Sequence, residues 1–277
     1  MTNVDIKKIE GISHAMRRKI IDVSFSCGTS AHIGGGLSMV DLLATLYGSI
    51  LNFKVTDPRW VERDRFILSK GHGILGLISA LRVTGVISEE VFNTFQSNES
   101  HLIAHPIMNL DLGIESSNGS LGHGLSLGIG LAIAAKKLSK SHHIFVLLGD
   151  GECNEGSIWE SVMAASQFKL DNLTVIIDKN GYQNEAKKSK DIISRGTNKS
   201  NWESFGWETY NIDGHDIKEI YDAFTIKRFD LKPKAIIAKT VKGKGISFME
   251  NNNDWHHNRL TQVKYDLAIK ELNCKDS

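Results

Sequence analysis

The sequence has little of what marks a secreted or multidomain protein. Only three of its 277 residues are cysteine and only three are proline. Cys27, Cys153 and Cys274 are widely spaced and odd in number, so they provide no disulfide framework and indicate a reducing compartment. With so few prolines and no low-complexity tract, the chain contains no segment that predicts a linker between domains.

Charge of one sign and long apolar runs are absent as well. The formal net charge is +1, so electrostatics favour neither nucleic acid nor an anionic membrane as a partner. No run approaches the roughly 20 apolar residues of a membrane helix. Residues 1–20 predict an amphipathic helix and not a signal peptide. We therefore predict a cytoplasmic protein that binds neither membrane nor nucleic acid.

Apolar residues make up 41% of the chain, and their spacing predicts strands that alternate with helices from about residue 64 onward. The predicted strands are 64–69, 144–148, 173–178, 207–212 and 235–240. The predicted helices are 5–26, 38–51, 74–83, 122–138, 155–169, 217–229 and 261–272. Loops or surface segments are predicted for 28–36, 96–121 and 182–201. This alternation predicts an α/β fold with a doubly wound, mostly parallel sheet and helices on both faces.

Two polar motifs follow apolar runs at the spacing of one βαβ unit. Asp150 lies in Gly149-Asp150-Gly151, directly after 144–148, and Asn180 follows the next strand. Ligands of open parallel sheets bind beyond the carboxyl ends of the strands, where these two side chains meet. A carboxylate and an amide oxygen suit Mg²⁺ on a phosphorylated cofactor, with the Tyr182 carbonyl as a third protein ligand.

Taken alone, a GDG triplet is more often a tight turn than a metal site. The two preceding strands and the helix between them favour the metal site here. The predicted helix also points its N-terminal N–H groups at the same crevice, which favours an anionic diphosphate.

From about residue 10 to about residue 260, the chain resembles the transketolase family. The stretch GDGECNEGSIWESVMAASQFKLDNLTVIIDKNGYQ is similar to that family's thiamine diphosphate motif. Four further segments occur in family order: SAHIGG, LSKGHG, AHP and GIESSNGSLGHG. The resemblance implies one diphosphate-binding domain over 1–277, with 242–277 as a C-terminal extension of it.

The resemblance also implies the roles of individual residues around thiamine diphosphate and Mg²⁺ or Ca²⁺. The metal ligands would be Asp150, Asn180 and the carbonyl of Tyr182. The residues at the cofactor would be His72, Gly119, Leu121, Gly149, Asp150, Gly151 and Asn180. Glu155 would contact an activating glutamate of another module and so couple two subunits.

Four histidines resemble the family's active-site histidines: His32, His72, His105 and His256. Each taken singly has an ordinary polar role as a strong alternative, but all four in family order favour an active site. The other histidines that match no motif receive no role, and they are His14, His101, His142, His143 and His215. Two positions depart from the family. Ile33-Gly34-Gly35 follows the first histidine, where the family has Pro-Gly. His257 follows the last histidine, where the family has glycine, so either His256 or His257 would contact the sugar.

This chain resembles only the first of the two cofactor-binding modules of transketolases. The resemblance therefore implies one half of an enzyme that transfers a ketol group between sugar phosphates only with a separate chain carrying the pyrimidine-binding and C-terminal modules, in an α2β2 assembly. Two alternatives remain: part of a thiamine diphosphate synthase or decarboxylase that uses a 2-oxo acid, or a non-catalytic cofactor-binding module. The histidine set argues against both.

Overall fold

The computed structural model of the chain describes residues 5–183, 187–188, 196–226 and 231–274. Within these ranges five strands form one parallel sheet in the order β1-β2-β3-β7-β6. Its strands are β1 (Arg65–Leu68), β2 (Ile144–Gly149), β3 (Leu173–Lys179), β6 (Glu208–Asp213) and β7 (Lys234–Lys239). A short antiparallel pair, β4 (Tyr182–Gln183) and β5 (Lys187–Lys188), lies outside this sheet. The predicted α/β fold with a parallel sheet is confirmed.

The central strands are buried on both faces, and their sequences are mostly apolar. Every residue of β2 is buried, and so are the first six residues of β3. Parallel strands covered by helices on both faces have this composition. The side chains of β2 divide between two separate core clusters, one holding Leu147 and the other Val146 and Leu148.

Helices supply the rest of both cores. Their bounds are α1 (Ile6–Ser26), α2 (Ile33–Leu37), α3 (Val40–Thr45), α4 (Ile74–Val83), α5 (Glu89–Phe92), α6 (Gly124–Lys137), α7 (Gly156–Gln167), α8 (Lys199–Ser204), α9 (Ile217–Thr225) and α10 (Gln262–Asn273). The buried faces of α1, α3, α4, α9 and α10 join one cluster, and those of α6, α7 and α8 join the other. None of the helices described is both long and apolar enough to cross a membrane.

The predictions for 28–36 as a loop and 38–51 as one helix are wrong in detail. Helix α2 forms inside the predicted loop, and a π-helical turn (Leu46–Ile50) ends the second segment. The glycines of α2 permit this because the helix backbone packs unusually close to its neighbours. A Cβ on Gly34 would lie 2.9 Å from the Trp255 carbonyl oxygen, and one on Gly36 would lie 3.0 Å from the Leu75 side chain.

Smaller differences concern segments with weak periodicity. The predicted loop 96–121 contains a 3₁₀ turn (Leu110–Leu112), and the predicted surface segment 182–201 contains β4, β5 and the start of α8. Helix α5 is not predicted by the sequence pattern, because it spans only four residues. The part of the predicted helix 217–229 beyond Ile226 lies outside the described residues.

Helix α6 offers a test of how closely it packs on the sheet. A Cβ on Gly128 would lie 2.5 Å from Cγ2 of Val146, whereas one on Gly130 would meet nothing within 4 Å. We expect Gly128→Ala to lower the free energy of unfolding by about 1–3 kcal/mol through overpacking. The matched change Gly130→Ala should raise it by about 0.5–1 kcal/mol because alanine favours a helix. Urea denaturation of both variants checks this, and equal effects would contradict the packing described.

Candidate active site

The carboxyl ends of four strands bring the candidate residues together. Lys70 and His72 follow β1, Asp150 follows β2, Asn180 follows β3 and Lys242 follows β7. In a parallel sheet these ends share one edge, so segments far apart in sequence meet there.

Asp150 and Asn180 are held side by side by backbone hydrogen bonds. Oδ2 of Asp150 accepts from the Gly181 N–H at 2.8 Å, and Oδ1 accepts from Gly151 at 2.9 Å. The side-chain oxygen of Asn180 accepts from the Tyr182 N–H at 3.1 Å. Gly181 has a φ of +83°, the left-handed conformation that glycine adopts without steric cost. This turn places the carboxylate, the amide and the backbone of Tyr182 in one cluster.

Glycine is required beside Asp150 by close contacts. A Cβ on Gly151 would lie 2.7 Å from Cγ of Gln183. The Gly149 N–H donates to Oε2 of Glu152 at 3.0 Å. The predicted helix starting near 155 begins at Gly156, and a 3₁₀ turn (Glu152–Asn154) precedes it. The close contact at Gly151 and the hydrogen bond from the Gly149 N–H to Glu152 therefore hold the loop after β2.

A buried carboxylate, Asp178, lies directly behind Asn180. Its Oδ2 accepts from Nδ2 of Asn180 at 3.1 Å, from Oγ of Ser38 at 2.6 Å and from Nζ of Lys70, and its Oδ1 accepts from Oγ1 of Thr240. Burial alone would raise the pKa of Asp178, but the Lys70 ammonium and the hydroxyl donors hold it below its ordinary value. Because the amide nitrogen of Asn180 donates to Asp178, the amide oxygen, which accepts from the Tyr182 N–H, is the Asn180 atom that would bind a metal ion.

Glu152 is a second buried carboxylate, and it ties three loops together. It accepts from the Gly122 N–H at 2.8 Å, from the Gly149 N–H and from Oγ of Ser69. Burial raises the pKa of Glu152 above its ordinary value, against the opposing effect of these donors. Ser69 also accepts from the Gly124 N–H at 3.1 Å. The loops after β1, before α6 and after β2 are thus fixed relative to each other.

The histidines singled out by the sequence cluster around His32. Ring centroids lie 5.6 Å from it at His72, 5.8 Å at His105 and 5.3 Å at His256. His257 lies 4.5 Å from His32. His256 is partly buried and His257 is exposed. The structure therefore brings both candidates for the last position to the same cluster, with His257 at its rim.

Burial and mutual repulsion keep these imidazoles neutral. Burial, His256 and His257 lower the pKa of His32 to about 3, and burial with Lys242 lowers the pKa of His256 to about 4. The pKa values of His72 and His105 are also lowered, in both cases chiefly by burial. A neutral imidazole donates at one nitrogen and accepts at the other, so the cluster suits a ligand with several hydroxyl groups.

Lys242 is a site residue that the sequence patterns do not single out. Its Nζ donates to Oδ1 of Asn253 at 2.7 Å and contacts Nδ1 of His256 at 2.9 Å, and it lies 5.2 Å from the centre of the Tyr182 ring. Burial and Lys70 lower its pKa to about 8, although Asp150 and Asp178 favour its charged form. A buried cation therefore stands between the Asp150 cluster and the histidines. Its only sequence signal is the glycine-rich segment Lys242–Gly245.

The other predicted residues lie around the same edge. A Cβ on Gly119 would lie 4.0 Å from Cδ2 of His105. The Leu121 carbonyl accepts from His123, and the next residue, Gly122, bonds Glu152. Glu155 is exposed at the start of α7. Its Cβ lies 2.8 Å from where a Cβ on Gly122 would be. Gly119 therefore lies beside His105, Leu121 precedes the glycine that bonds Glu152, and Glu155 is exposed.

The oxygen donors present fit a hard divalent cation on a diphosphate. Asp150 supplies a carboxylate that is 5% exposed, and Asn180 supplies the amide oxygen. Within the described ranges no three His, Cys, Asp or Glu side chains are grouped for a metal ion. Such an ion would therefore complete its shell with phosphate oxygens and water, which is the common arrangement for Mg²⁺.

Comparisons with known proteins agree with this geometry. The family described as "Transketolase, thiamine diphosphate binding domain" matches residues 12–274. The chain is 41% identical to an apulose-4-phosphate transketolase subunit of Actinobacillus succinogenes, over 98% of both chains. It is 37% identical to a 6-deoxy-6-sulfo-D-fructose transketolase subunit of Clostridium sp., over 87% of this chain and 88% of that protein.

Solved structures extend the similarity to the fold. The transketolase of Campylobacter jejuni superimposes with a TM-score of 0.90 at 30% identity, covering 98% of this chain and 43% of that one. The transketolase of Leishmania mexicana gives 0.89 at 25% identity, covering 96% of this chain and 41% of that one. This chain thus spans less than half the length of those transketolases. On these grounds the chain belongs to the transketolase family, of which it is a thiamine diphosphate-binding domain.

Proposed function

We propose that this chain is the diphosphate-binding subunit of a two-chain transketolase, which transfers a two-carbon ketol group from a ketose phosphate to an aldose phosphate. The observation that carries the proposal is the cluster of neutral histidines around His32, next to the Asp150–Asn180 pair. One part of the site suits a metal diphosphate and the other suits a polyhydroxylated substrate.

Asp150, Asn180 and the Tyr182 carbonyl would hold Mg²⁺ or Ca²⁺, and the metal would bind the diphosphate of thiamine diphosphate. Gly149, Gly151, His72, Gly119 and Leu121 would surround the cofactor. When bound, the cofactor supplies a carbanion that adds to the ketose carbonyl. The Lys242 ammonium, which the charge of Asp150 helps to keep protonated, would stabilise the added negative charge of the diphosphate.

His32, His72, His105 and His256 would bind the sugar hydroxyls and move protons at them. At neutral pH these groups carry no charge, since burial lowers the pKa of each one. A neutral ring accepts a proton from one hydroxyl and donates to another. His257 lies at the rim, so His256 is the better candidate for contact with the sugar.

The relatives indicate the class of sugar within this reaction. The relatives named above are transketolase subunits for apulose 4-phosphate and for 6-deoxy-6-sulfo-D-fructose. Both substrates are sugars with an anionic end. We therefore propose a phosphorylated or similarly anionic sugar. A 2-oxo acid substrate is disfavoured because it lacks the hydroxyl groups that would form hydrogen bonds with these imidazoles.

A partner chain would complete the site. The names of the relatives call them subunits, and the solved transketolases are more than twice as long as this chain. We propose that the partner carries the pyrimidine-binding and C-terminal modules and that two copies of each chain form an α2β2 assembly. Glu155, exposed at the start of α7, would contact the partner beside the cofactor.

The outward face of α6 is the surface that suits this partner. From its start to Ala134 the exposed residues are small or apolar: Ser126, Leu127, Gly130, Leu131 and Ala134. The exposed Lys136 and Lys137 follow in its last turn. Leu127 is 46% exposed and Leu131 is 36% exposed. Helix α6 packs on α7, where Ser126 and Ser161 share a hydrogen bond of 2.8 Å and Met163 is also exposed. An apolar face of this kind is typical of a surface that another chain covers.

Removing the carboxylate of Asp150 tests the cofactor proposal. We expect Asp150→Ala to weaken the affinity of the reconstituted pair for thiamine diphosphate by more than about tenfold, because even residues behind metal ligands have effects of that size. Isothermal titration calorimetry in the presence of Mg²⁺ measures this, and chelation of the metal should weaken wild-type binding in the same way. Asp266→Asn, an exposed carboxylate on α10, is the control. Unchanged affinity in Asp150→Ala would contradict the metal site.

Charge on the outward face of α6 tests the partner surface. We expect Leu127→Asp combined with Leu131→Asp to abolish co-purification with the partner chain, while the unfolding free energy of this chain alone changes little because both side chains are exposed. Val263→Asp on α10, where Val263 is 68% exposed, should leave the complex intact.

Light scattering on the wild-type pair should give the mass of two copies of each chain. A fully active one-to-one heterodimer would contradict the assembly.

A further inference from the structure

The segment after β7 reaches the site through Lys242 and sets the hydrogen bonding of His256. An ammonium group donates hydrogen bonds and cannot accept them, so Nδ1 of His256, 2.9 Å from Nζ of Lys242, is the acceptor. The proton of the neutral imidazole is therefore on Nε2. Asn253 fixes the lysine from a second direction at 2.7 Å. Nε2–H of His256 is thus a hydrogen-bond donor as long as Lys242 keeps its contact with Nδ1.

The same segment is held from behind by His215. The Val241 N–H donates to Nε2 of His215 at 2.8 Å. Since Nε2 accepts, Nδ1 carries the proton and donates to Oδ2 of Asp41 at 2.7 Å. Both histidine nitrogens are used, and the tautomer of His215 is opposite to that of His256. A residue without any sequence motif therefore bonds the backbone directly adjacent to Lys242.

Arg17 adds two further hydrogen bonds to this arrangement. Its Nη2 donates to Oδ2 of Asp41 at 2.6 Å, and its Nε donates to the Lys244 carbonyl at 3.3 Å. Burial alone would raise the pKa of Asp41, but Arg17 and His215 hold it well below its ordinary range. The carboxylate is ionised at neutral pH and keeps accepting both bonds. Hydrogen bonds therefore hold the segment on both sides of Lys242, at Val241 and at Lys244.

We propose that Asp41 and His215 are positioning residues of the active site, which act through the backbone of Val241 to place Lys242 and so fix the tautomer of His256. The order of contacts is Asp41, His215, Val241, Lys242, His256. Asp41 and His215 bond Arg17 and the Val241 N–H and are separate from the histidines grouped around His32. The effect on catalysis rests on the proposed function, whereas the effect on the His256 ring does not.

Two substitutions at His215 separate its two hydrogen bonds. In His215→Gln the side-chain oxygen reaches the position of Nε2 and keeps an acceptor for Val241. In His215→Asn the amide nitrogen reaches the position of Nδ1 and keeps a donor for Asp41, while the bond to Val241 is lost. Asp41→Asn preserves the shape of its side chain and removes its charge. Tyr265→Phe is the control, because it removes a hydrogen bond of 3.0 Å to Asp22 on α1 without touching these contacts.

The direct readout is the tautomer of His256, measured by ¹⁵N NMR on the full chain labelled at histidine. Comparison with His256→Gln assigns the signal, and Lys242→Met gives the spectrum of His256 without its lysine contact. We expect the Nε2–H form in the wild type, in Tyr265→Phe and in His215→Gln. His215→Asn should shift toward the spectrum of Lys242→Met. An unchanged tautomer in a folded His215→Asn chain would overturn the proposal.

The kinetic readout uses the chain reconstituted with its partner on a ketose phosphate. His215→Asn and Asp41→Asn should lower kcat/KM by roughly tenfold, the size typical of lost contacts behind a site, and His215→Gln should lower it less. Thermal unfolding shows whether each variant is folded. Equal losses in His215→Gln and His215→Asn would contradict the route through Val241. If the wild-type pair transfers no ketol group, the proposed function fails, and the NMR result still decides the positioning role.

Discussion

The carboxylate of Asp178 is the interaction on which the candidate site depends. It is completely buried and accepts hydrogen bonds from Ser38, Lys70, Asn180 and Thr240. Each donor belongs to a different segment, and each segment carries a residue of the proposed site. A buried charge without partners would cost several kcal/mol, and the convergence of these segments offsets that cost. The same convergence that stabilises the charge places the site residues together.

Glu152 has the corresponding role on the other side of β1. Its partner Ser69 is the neighbour of Lys70, so two adjacent residues connect the two buried carboxylates. The Glu152 contacts fix the loops that lead into α6 and α7, and the outward face of α6 is the proposed partner surface. The partner surface and the cofactor cluster are therefore parts of one rigid arrangement. A chain that we propose to form half of a site would in this way hold its half in a fixed geometry.

The sequence predicts the parts of this arrangement that depend on local pattern. Mostly apolar runs place β2, β3 and β7 to within one or two residues, and the residues predicted from the motifs at Asp150, Asn180 and the histidines lie at one edge of the sheet. The path of α2 is not predictable, because its glycines are chosen for close packing against Trp255 and Leu75, which are distant in sequence.

The roles of Asp178, Lys242 and His215 escape prediction for a related reason. Asp178 ends a predicted strand and Lys242 lies in a glycine-rich turn, so each has an ordinary local explanation. Their hydrogen-bond partners lie in other segments, and the spacing of residues along the chain does not predict such long-range contacts. The roles assigned to His32, His72, His105, His256 and Glu155 remain predictions, although the structure groups the four histidines.

Turnover by the separated and recombined chains tests the central claim most directly. This chain, its partner and their mixture are each supplied with thiamine diphosphate, Mg²⁺, a ketose phosphate and an aldose phosphate, and in parallel with pyruvate alone. We expect ketol transfer by the mixture only, with no reaction of pyruvate. Transfer by this chain alone, or turnover of pyruvate without ketol transfer, would contradict it.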